Sequence, residues 1–202
     1  MKKLLLAICL AALACPMLLP AQDLSAKDRE KAVKHLEKTR KEVFAATRDL
    51  TPEQWNFKPA PDRWSVAEVT EHIAAAEDFL MDMVREKVMV APARTEATDL
   101  GALDDLVLQQ IPDRSHKVQA PEPLKPANRF GSPRDSLKHF QESRTKTLAF
   151  VKKTEGLRQH AVDSPMGKKL DAYQWVLLTS AHSERHTKQI LEVKADPNFP
   201  KK

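Results

Sequence analysis

The stretch Trp64-Ser65-Val66-Ala67-Glu68-Val69 opens the most clearly signalled helix in this chain of 202 residues. Ser65 is a predicted N-cap, and Glu68 three residues later completes a capping box, in which the two side chains bond each other's backbone N–H groups. Trp64 and Val69 flank the box as a hydrophobic staple. Apolar residues then recur in alternating steps of four and three, the spacing of a helix in a bundle. They are Val69, Ile73, Ala76, Leu80 and Met83.

Similar signals predict three more long helices. The first helix of the chain follows Ser25, a serine N-cap with an aspartate three residues later. The third starts at Pro133, where proline is tolerated in the first turn, and stops at Gly156. The fourth begins at Asp171 and ends near Lys194. Helical periodicity throughout these segments predicts an all-α protein.

A long connection, residues 91–131, joins the second and third helices. It contains a short helical stretch from Leu100 to Gln110 and a proline-rich extended piece from Val118 to Pro126. A connection of this length lets the second and third helices lie parallel, unlike the tight loops of an up-down bundle. The predicted fold is one four-helix bundle with a long crossover between its second and third helices.

The first 21 residues have the layout of a secretory signal peptide. Met1-Lys2-Lys3 is a basic start, an uncharged run from Leu4 to Ala14 follows, and Ala21 precedes the predicted cleavage site. The run is too short to span a membrane, which takes about 20 residues. Acylation of Cys15 in a lipoprotein is the alternative. We therefore expect an exported protein, periplasmic or extracellular, whose bundle domain covers residues 22–202.

Cysteine and charge exclude several functions for the mature chain. Cys9 and Cys15 are the only cysteines and both lie in the leader, which excludes a disulfide framework and a catalytic cysteine. Losing Lys2 and Lys3 lowers the net charge from +5 to +3, and the remaining charges are interspersed. This pattern is typical of a solvated surface and does not favour a nucleic-acid partner.

Three histidines differ from the other four. His182 and His186 are one turn apart on the column of the fourth helix that is expected to face inward, so two imidazoles can share a metal ion. His72 lies beside the inner seam of the second helix and can supply a third ligand. The remaining four stand in polar surroundings and are expected to be solvated. They are His35, His116, His139 and His160.

Structural explanations compete with these assignments. A lone buried histidine is most often a core residue with a hydrogen-bond partner, whereas two buried imidazoles each need one. Glu184 does not directly follow His182, so the zinc-protease motif is absent and Glu184 is expected outside. Glu68 is favoured as a capping residue over a catalytic one. Trp64 and Trp175 are expected to be staple and core residues rather than substrate platforms.

Several segments together resemble the DinB-like superfamily. The resemblance begins at Leu50-Thr51-Pro52-Glu53-Gln54-Trp55 and continues through residues 64–69 and His72. Its middle is residues 118–122 and 132–144, and its end is Gly167, Gln174 and residues 182–190. The similarity covers nearly all of residues 26–195, and the order and spacing of the segments carry it.

The resemblance implies a four-helix bundle whose divalent metal is held by His72, His182 and His186. It also implies chemistry: enzymes of this superfamily include metal-dependent transferases that use thiols such as bacillithiol or mycothiol, an isomerase, and metal-dependent hydrolases. Such thiols belong to the reducing cytosol, whereas this chain is expected to be exported. The resemblance therefore supports the fold and metal site more strongly than the thiol chemistry.

The functional expectation is a metal-dependent hydrolase or thiol S-transferase that activates water or a thiol. The alternative is a bundle that binds a metal or a small ligand without catalysis, since no general acid or base is evident beside the three histidines. Histidine ligands suit zinc, nickel, iron and copper, so the identity of the divalent ion is open, with zinc, nickel or iron preferred. We expect a small-molecule substrate and no membrane span; a homodimer is an open alternative to a monomer.

Overall fold

The computed structural model describes residues 23–95 and 98–201. The predicted signal peptide, residues 1–21, lies outside the described residues. Within them, no helix has both the length and the apolar character needed to cross a membrane.

Four long helices dominate the described part of the chain, and shorter elements fill the connections. The long helices are α1 (Ala26–Ala46), α3 (Val66–Met83), α5 (Pro133–Lys153) and α6 (Ala172–Lys194). Two shorter helices, α2 (Pro52–Asn56) and α4 (Leu100–Gln110), lie in the connections between them. A π-helical segment (Val84–Val88) continues α3, and a 3-10 turn (Glu122–Leu124) lies in the long crossover. Strands β1 (Ala161–Asp163) and β2 (Lys169–Asp171) form an antiparallel hairpin with Val162 opposite Leu170.

Helices α1 and α6 lie side by side and run parallel. Near their beginnings the Tyr173 hydroxyl donates to the Asp28 carbonyl oxygen at 2.8 Å. At their ends the Lys194 ammonium donates to the Ala46 carbonyl oxygen at 2.7 Å. Two neighbours that share a direction cannot be joined by a short loop, so they lie far apart in the chain.

Helices α3 and α5 also run parallel, as the long crossover predicts. Ile73 and Phe140, from the earlier parts of the two helices, share one apolar cluster. Leu80 and Leu148, from the later parts, share another. Since α1 and α3 each pack against both α5 and α6, the four helices form a square in which α1 is diagonal to α3. The predicted four-helix bundle with its crossover is confirmed.

The helix starts follow the sequence signals closely. Ser65 caps α3 and Asp171 caps α6, each in a complete capping box with Glu68 and Gln174 respectively. Ser132 caps α5, with Pro133 in its first turn. Trp175 is buried in the core, as expected. These caps fix the rotational register of α3 and α6, the two helices that carry the candidate ligands.

Removing the N-cap of α3 tests how much Ser65 contributes to the stability of the protein. Ser65→Ala loses the hydrogen bond to the Glu68 N–H and should lower the free energy of unfolding by about 1 kcal/mol. For a domain of this size that corresponds to a melting temperature lower by about 2–4 °C, measured by circular dichroism. Glu68→Gln is the matched control, because glutamine also completes a capping box. An equal loss in both variants would contradict the capping role of Ser65.

A buried ion pair ties the four long helices together. Arg144 of α5 and Glu77 of α3 are almost fully buried and form a two-pronged pair with N–O distances of 2.8 and 2.7 Å. Arg144 also donates to Thr39 Oγ1 of α1 and to Ser183 Oγ of α6, each at 2.8 Å. The Thr147 hydroxyl donates to Glu77 at 2.7 Å. Every helix of the square thus contributes a polar group to one network.

The hairpin before α6 was not predicted, since no alternating pattern was recognised. Its strands have three residues each, too short for an alternation of apolar and polar residues to stand out. Buried charges hold the hairpin in place. Arg158 donates to Asp104 of α4 at 2.6 and 2.8 Å and to Asp171 at the end of β2 at 3.1 Å. The sequence analysis identified Asp171 only as the start of the fourth helix and did not single out Arg158 or Asp104.

Candidate metal centre

The three singled-out histidines meet at one point between α3 and α6. His72 projects from the middle of α3, and His182 and His186 lie one turn apart on α6. His72 and His186 are buried, whereas His182 is partly exposed. The two helices run antiparallel, since Val69 and Ile190 share one cluster while Leu80 and Val176 share another. The structure thus brings together the three histidines that the sequence analysis singled out.

The ring nitrogens of the three histidines point toward a common centre. The Nε2 atom of His72 lies 3.3 Å from Nε2 of His182 and 3.1 Å from Nε2 of His186. One ligand atom from each ring lies within 4.8 Å of the others. A tetrahedral zinc ion with Zn–N bonds of about 2.0–2.1 Å separates its ligand nitrogens by about 3.3 Å. The spacing of the rings is therefore that of metal ligands.

Hydrogen bonds on the far side of two rings fix which nitrogens carry protons. The Nδ1 atom of His72 lies 2.8 Å from the Leu124 carbonyl oxygen, which can only accept, so this nitrogen carries the proton. The Nδ1 atom of His186 lies 2.8 Å from the side-chain oxygen of Gln189 and donates likewise. In both neutral rings the Nε2 atom is then unprotonated and carries a free lone pair. Such outer acceptors are the usual partners of metal-binding histidines.

Burial and neighbouring charge keep the rings neutral. Burial lowers the pKa of His72, and the positive charge of Arg129 lowers it further. The pKa values of His182 and His186 lie well below that of free imidazole, mainly because of burial and then because of the other histidines of the cluster. Neutral imidazole is the form that binds a metal.

Two lone pairs 3.1 Å apart repel each other unless something positive lies between them. The Nε2 atoms of His72 and His186 are in this position, and a third ring nitrogen joins them. A proton could link only one pair of nitrogens, whereas a divalent cation satisfies all three. The donor set therefore fits a divalent metal ion. Neutral nitrogen ligands suit zinc, nickel, iron or copper better than magnesium or calcium.

The immediate surroundings of the cluster are aromatic and cationic. The ring of Trp64 lies 5.0 Å from the His72 ring, so the staple residue also borders the site. Within the described residues, the imidazoles of the cluster bond one another, Leu124 and Gln189, and no carboxylate is among their hydrogen-bond partners. Ligands without negative charge would leave both charges of a divalent ion uncompensated.

The lowered pKa values predict how zinc binding depends on pH. Protons compete with the metal for Nε2, and a ring with a lowered pKa gains its proton only at lower pH. Affinity should therefore hold at about pH 6.5, the pKa of free imidazole, and be lost only as the pH falls further below that value. Zinc titration against a competing chelator measures this. A loss of affinity centred near pH 7 would contradict the burial of the ligands.

The other histidines are less solvated than the sequence suggested. His35 is partly buried, its Nδ1 lies 2.6 Å from Ser180 Oγ, and burial lowers its pKa. His139 is half-buried, stacks on Phe130 and lies 2.5 Å from a carboxylate oxygen of Asp78. His160 is also partly buried, and its Nδ1 atom has no partner among the described residues. Only His116 is exposed as expected.

Glu184 was expected outside and is only partly so. Its side chain is 18% exposed and lies between Lys38 and Lys188, 3.4 and 3.0 Å from their ammonium groups, and 3.5 Å from His35. Helix α6 packs against α1 at this point, so that His35 and Lys38 of α1 cover much of the Glu184 side chain. Within the described residues, the hydrogen-bond and ion-pair partners of Glu184 do not include His72, His182 or His186.

Sequence reasoning missed the residues that support the ligands. Leu124 and Gln189, whose oxygen atoms lie at hydrogen-bond distance from Nδ1 of His72 and His186, were not identified. Gln189 follows His186 by three residues, a spacing at which side chains on a helix meet, so this contact had a sequence signal. Leu124 acts through its backbone carbonyl, which no side-chain pattern reveals.

Comparison with known proteins agrees with this architecture. The uncharacterized protein YuaE of Bacillus subtilis (strain 168) is 28% identical to the chain over 158 residues, covering 77% of the chain and 92% of YuaE. YfiT from Bacillus subtilis is a solved structure, a probable metal-dependent hydrolase with an unusual four-helix bundle topology. Its fold matches with a TM-score of 0.54 and 16% identity over 91% of this chain and 95% of YfiT.

The family model of the DinB superfamily matches residues 35–190. This range contains the α3 capping box, the long crossover and all three histidines of the cluster. The chain belongs to the DinB superfamily.

Proposed function

We propose that the protein is a metal-dependent hydrolase whose divalent ion is held by His72, His182 and His186. The observation that carries the proposal is the convergence of three imidazole Nε2 atoms at ligand spacing. A divalent ion there would supply Lewis acidity toward a water molecule or a thiol substrate, with three neutral ligands leaving its charge uncompensated.

The residues of the chain prepare this site in three ways. Leu124 and Gln189 accept the Nδ1 protons and so direct the Nε2 lone pairs of His72 and His186 inward. The Trp64 ring lies 5.0 Å from the His72 ring and so supplies an aromatic border to the cluster. His182 is partly exposed, which gives a small-molecule substrate a route to the cluster. These residues would thus orient the ligands, border the site and leave it open to a substrate.

The family and the solved neighbour support hydrolysis as the first choice. YfiT, which shares the fold, is described as a probable metal-dependent hydrolase. Transfer of a small thiol is the second reaction we consider, since the same ion would activate a thiol as well as water. A non-enzymatic metal-binding role is the alternative, and the absence of a carboxylate bonded to the cluster rings within the described residues favours it.

A substrate screen with matched variants tests the proposal. The purified protein is loaded with zinc, nickel or ferrous iron and assayed on esters, amides and phosphate esters, and for transfer of small thiols to electrophiles. We expect metal-dependent hydrolysis that disappears in His182→Ala/His186→Ala and persists in His116→Ala. Thiol transfer without hydrolysis would replace the first choice by the second. Stoichiometric metal binding without any turnover would contradict the enzyme and support the binding role.

We also propose that the protein is exported. The proposal rests on the order of basic, apolar and small residues in positions 1–21. Intact-mass analysis of the protein secreted by its host should give a chain that begins at Gln22. A diacylated chain beginning at Cys15 would indicate a lipoprotein instead, and a cytoplasmic chain that retains Met1 would contradict export.

A further inference from the structure

Glu71 stands next to His72 in the sequence but has a different set of partners. It is buried, with 6% of its surface exposed, and it faces the crossover rather than the histidine cluster. Its carboxylate accepts hydrogen bonds from three consecutive backbone N–H groups, those of Ala127, Asn128 and Arg129, at 2.8, 2.9 and 3.1 Å. The Nε atom of Arg129 donates a fourth at 3.1 Å.

A buried carboxylate with four donors is a strong anchor. Hydrogen bonds to an ionised acceptor are stronger than those between neutral groups, and all four here converge on one side chain. Asn128 has a positive φ of 56°, a backbone conformation that asparagine tolerates better than most residues. The three consecutive N–H groups can turn toward one carboxylate in this bend. Glu71 therefore holds residues 127–129 of the crossover to α3.

The anchored segment also carries the outer partner of the candidate ligand. Leu124 lies three residues before Ala127, and its carbonyl oxygen accepts the Nδ1 proton of His72. The Leu124 side chain is buried against Ala75 and Ala76 of α3. The Arg129 guanidinium also donates to the Lys125 carbonyl oxygen at 2.7 Å, so that a hydrogen bond within the segment joins its two ends. The position of the Leu124 carbonyl is thus fixed by apolar packing on one side and by Glu71 on the other.

We propose that Glu71 is a positioning residue for the metal site, which rests on the proposed function. It holds residues 124–129 of the crossover against α3, so that the Leu124 carbonyl keeps His72 in the tautomer and orientation that direct Nε2 to the ion. Loss of such an outer-shell partner typically weakens metal binding about 10- to 100-fold. Glu71 does not itself touch the ion or the substrate.

Glu71→Gln is the test variant, because it has nearly the same shape. A glutamine keeps one oxygen acceptor but places an NH2 group against backbone N–H donors, so the anchor cannot form as before. Zinc affinity is measured by competition with a chromophoric chelator at a temperature where all variants are folded. We expect Glu71→Gln to bind zinc at least about tenfold more weakly than the parent.

Glu68→Gln is the matched control for charge. Glu68 lies one turn before His72 on the same helix, so the variant removes an equal negative charge near the cluster but leaves the crossover bonds intact. It should bind zinc as the parent does. Parent-like affinity of Glu71→Gln would overturn the proposal. Equal weakening in both variants would also overturn it, because loss of charge would then explain the effect.

Hydrogen exchange in the unaltered protein gives a second test that does not depend on a variant folding. If the segment and His72 are coupled, zinc must stabilise the segment as the segment stabilises zinc binding. Zinc should therefore slow amide exchange in peptides covering residues 124–129, and this protection should be absent in Glu71→Gln. Stoichiometric zinc binding without any change at these residues would overturn the inference alone. If the parent did not bind zinc, the proposed metal-dependent function would be contradicted, and the inference about Glu71 would fall with it.

Discussion

Arg144→Met should lower the free energy of unfolding by about 3–5 kcal/mol, because it leaves Glu77 charged and without its partner in the bundle centre. Domains of this kind have a total stability of about 5–15 kcal/mol, so the loss is a large share of it. Urea denaturation followed by circular dichroism measures the change. A cost below about 1 kcal/mol, the value of an exposed pair, would contradict the structural role of this network.

Two further variants separate charge from packing. Arg144→Met/Glu77→Met removes both charges and should be more stable than Arg144→Met alone, since an apolar pair of similar volume often replaces a buried ion pair well. Lys34→Met breaks an exposed pair with Glu30 on α1 and should leave unfolding nearly unchanged. If the double variant were less stable than the single one, the unpaired charge would not be the cause of the loss.

Single replacement of His72, His182 or His186 by alanine should weaken zinc binding more than about 100-fold, which exceeds the usual effect of losing an outer-shell partner. Each variant removes one of three converging nitrogens, and two imidazoles cannot reproduce the donor set. Isothermal titration or chelator competition gives the dissociation constant. Far-ultraviolet circular dichroism should show largely intact helix content in each variant, so that the loss reflects the site and not the fold.

His116→Ala and His139→Ala are the controls for this series. His116 is exposed, and His139 pairs with Asp78 and is not among the three clustered histidines, so neither variant should change zinc affinity. His35 is a poorer control than its sequence suggested, because it bonds Ser180 within the helix packing. Parent-like zinc affinity in two of the three cluster variants would contradict a shared three-histidine site.

Helix caps and apolar periodicity predicted the long helices of the bundle, because each of these sequence features has a physical cause within a few residues. The box at Ser65 and Glu68 and the cap at Asp171 satisfy backbone groups of their own helix, so the sequence shows them directly. The spacing of the apolar residues along α3 predicts which face of the helix is buried. Together they set the register that brings His72 to His186. Helical spacing also places His182 and His186 on one face of α6.

Long-range polar contacts could not be predicted in the same way. Arg144 lies four residues after Phe140 on the apolar column of α5, and Glu77 lies four residues after Ile73 on α3, so helical spacing does place both on inner faces. What local spacing does not show is that the two charges pair with each other across the bundle. The bonds of Glu71 go to backbone groups 56–58 residues later, and no side-chain pattern marks backbone donors. The short hairpin lacks enough residues to show an alternating pattern. These contacts depend on tertiary neighbours rather than on local periodicity.

Crystallography of the zinc-loaded protein, with data collected on both sides of the zinc absorption edge, tests the metal site most directly. We expect one anomalous difference peak per chain, lying between the Nε2 atoms of His72, His182 and His186 at about 2.0–2.1 Å from each. The Nδ1 atoms of His72 and His186 should remain bonded to Leu124 and Gln189. An empty cluster in crystals of protein with zinc bound elsewhere would contradict the three-histidine site.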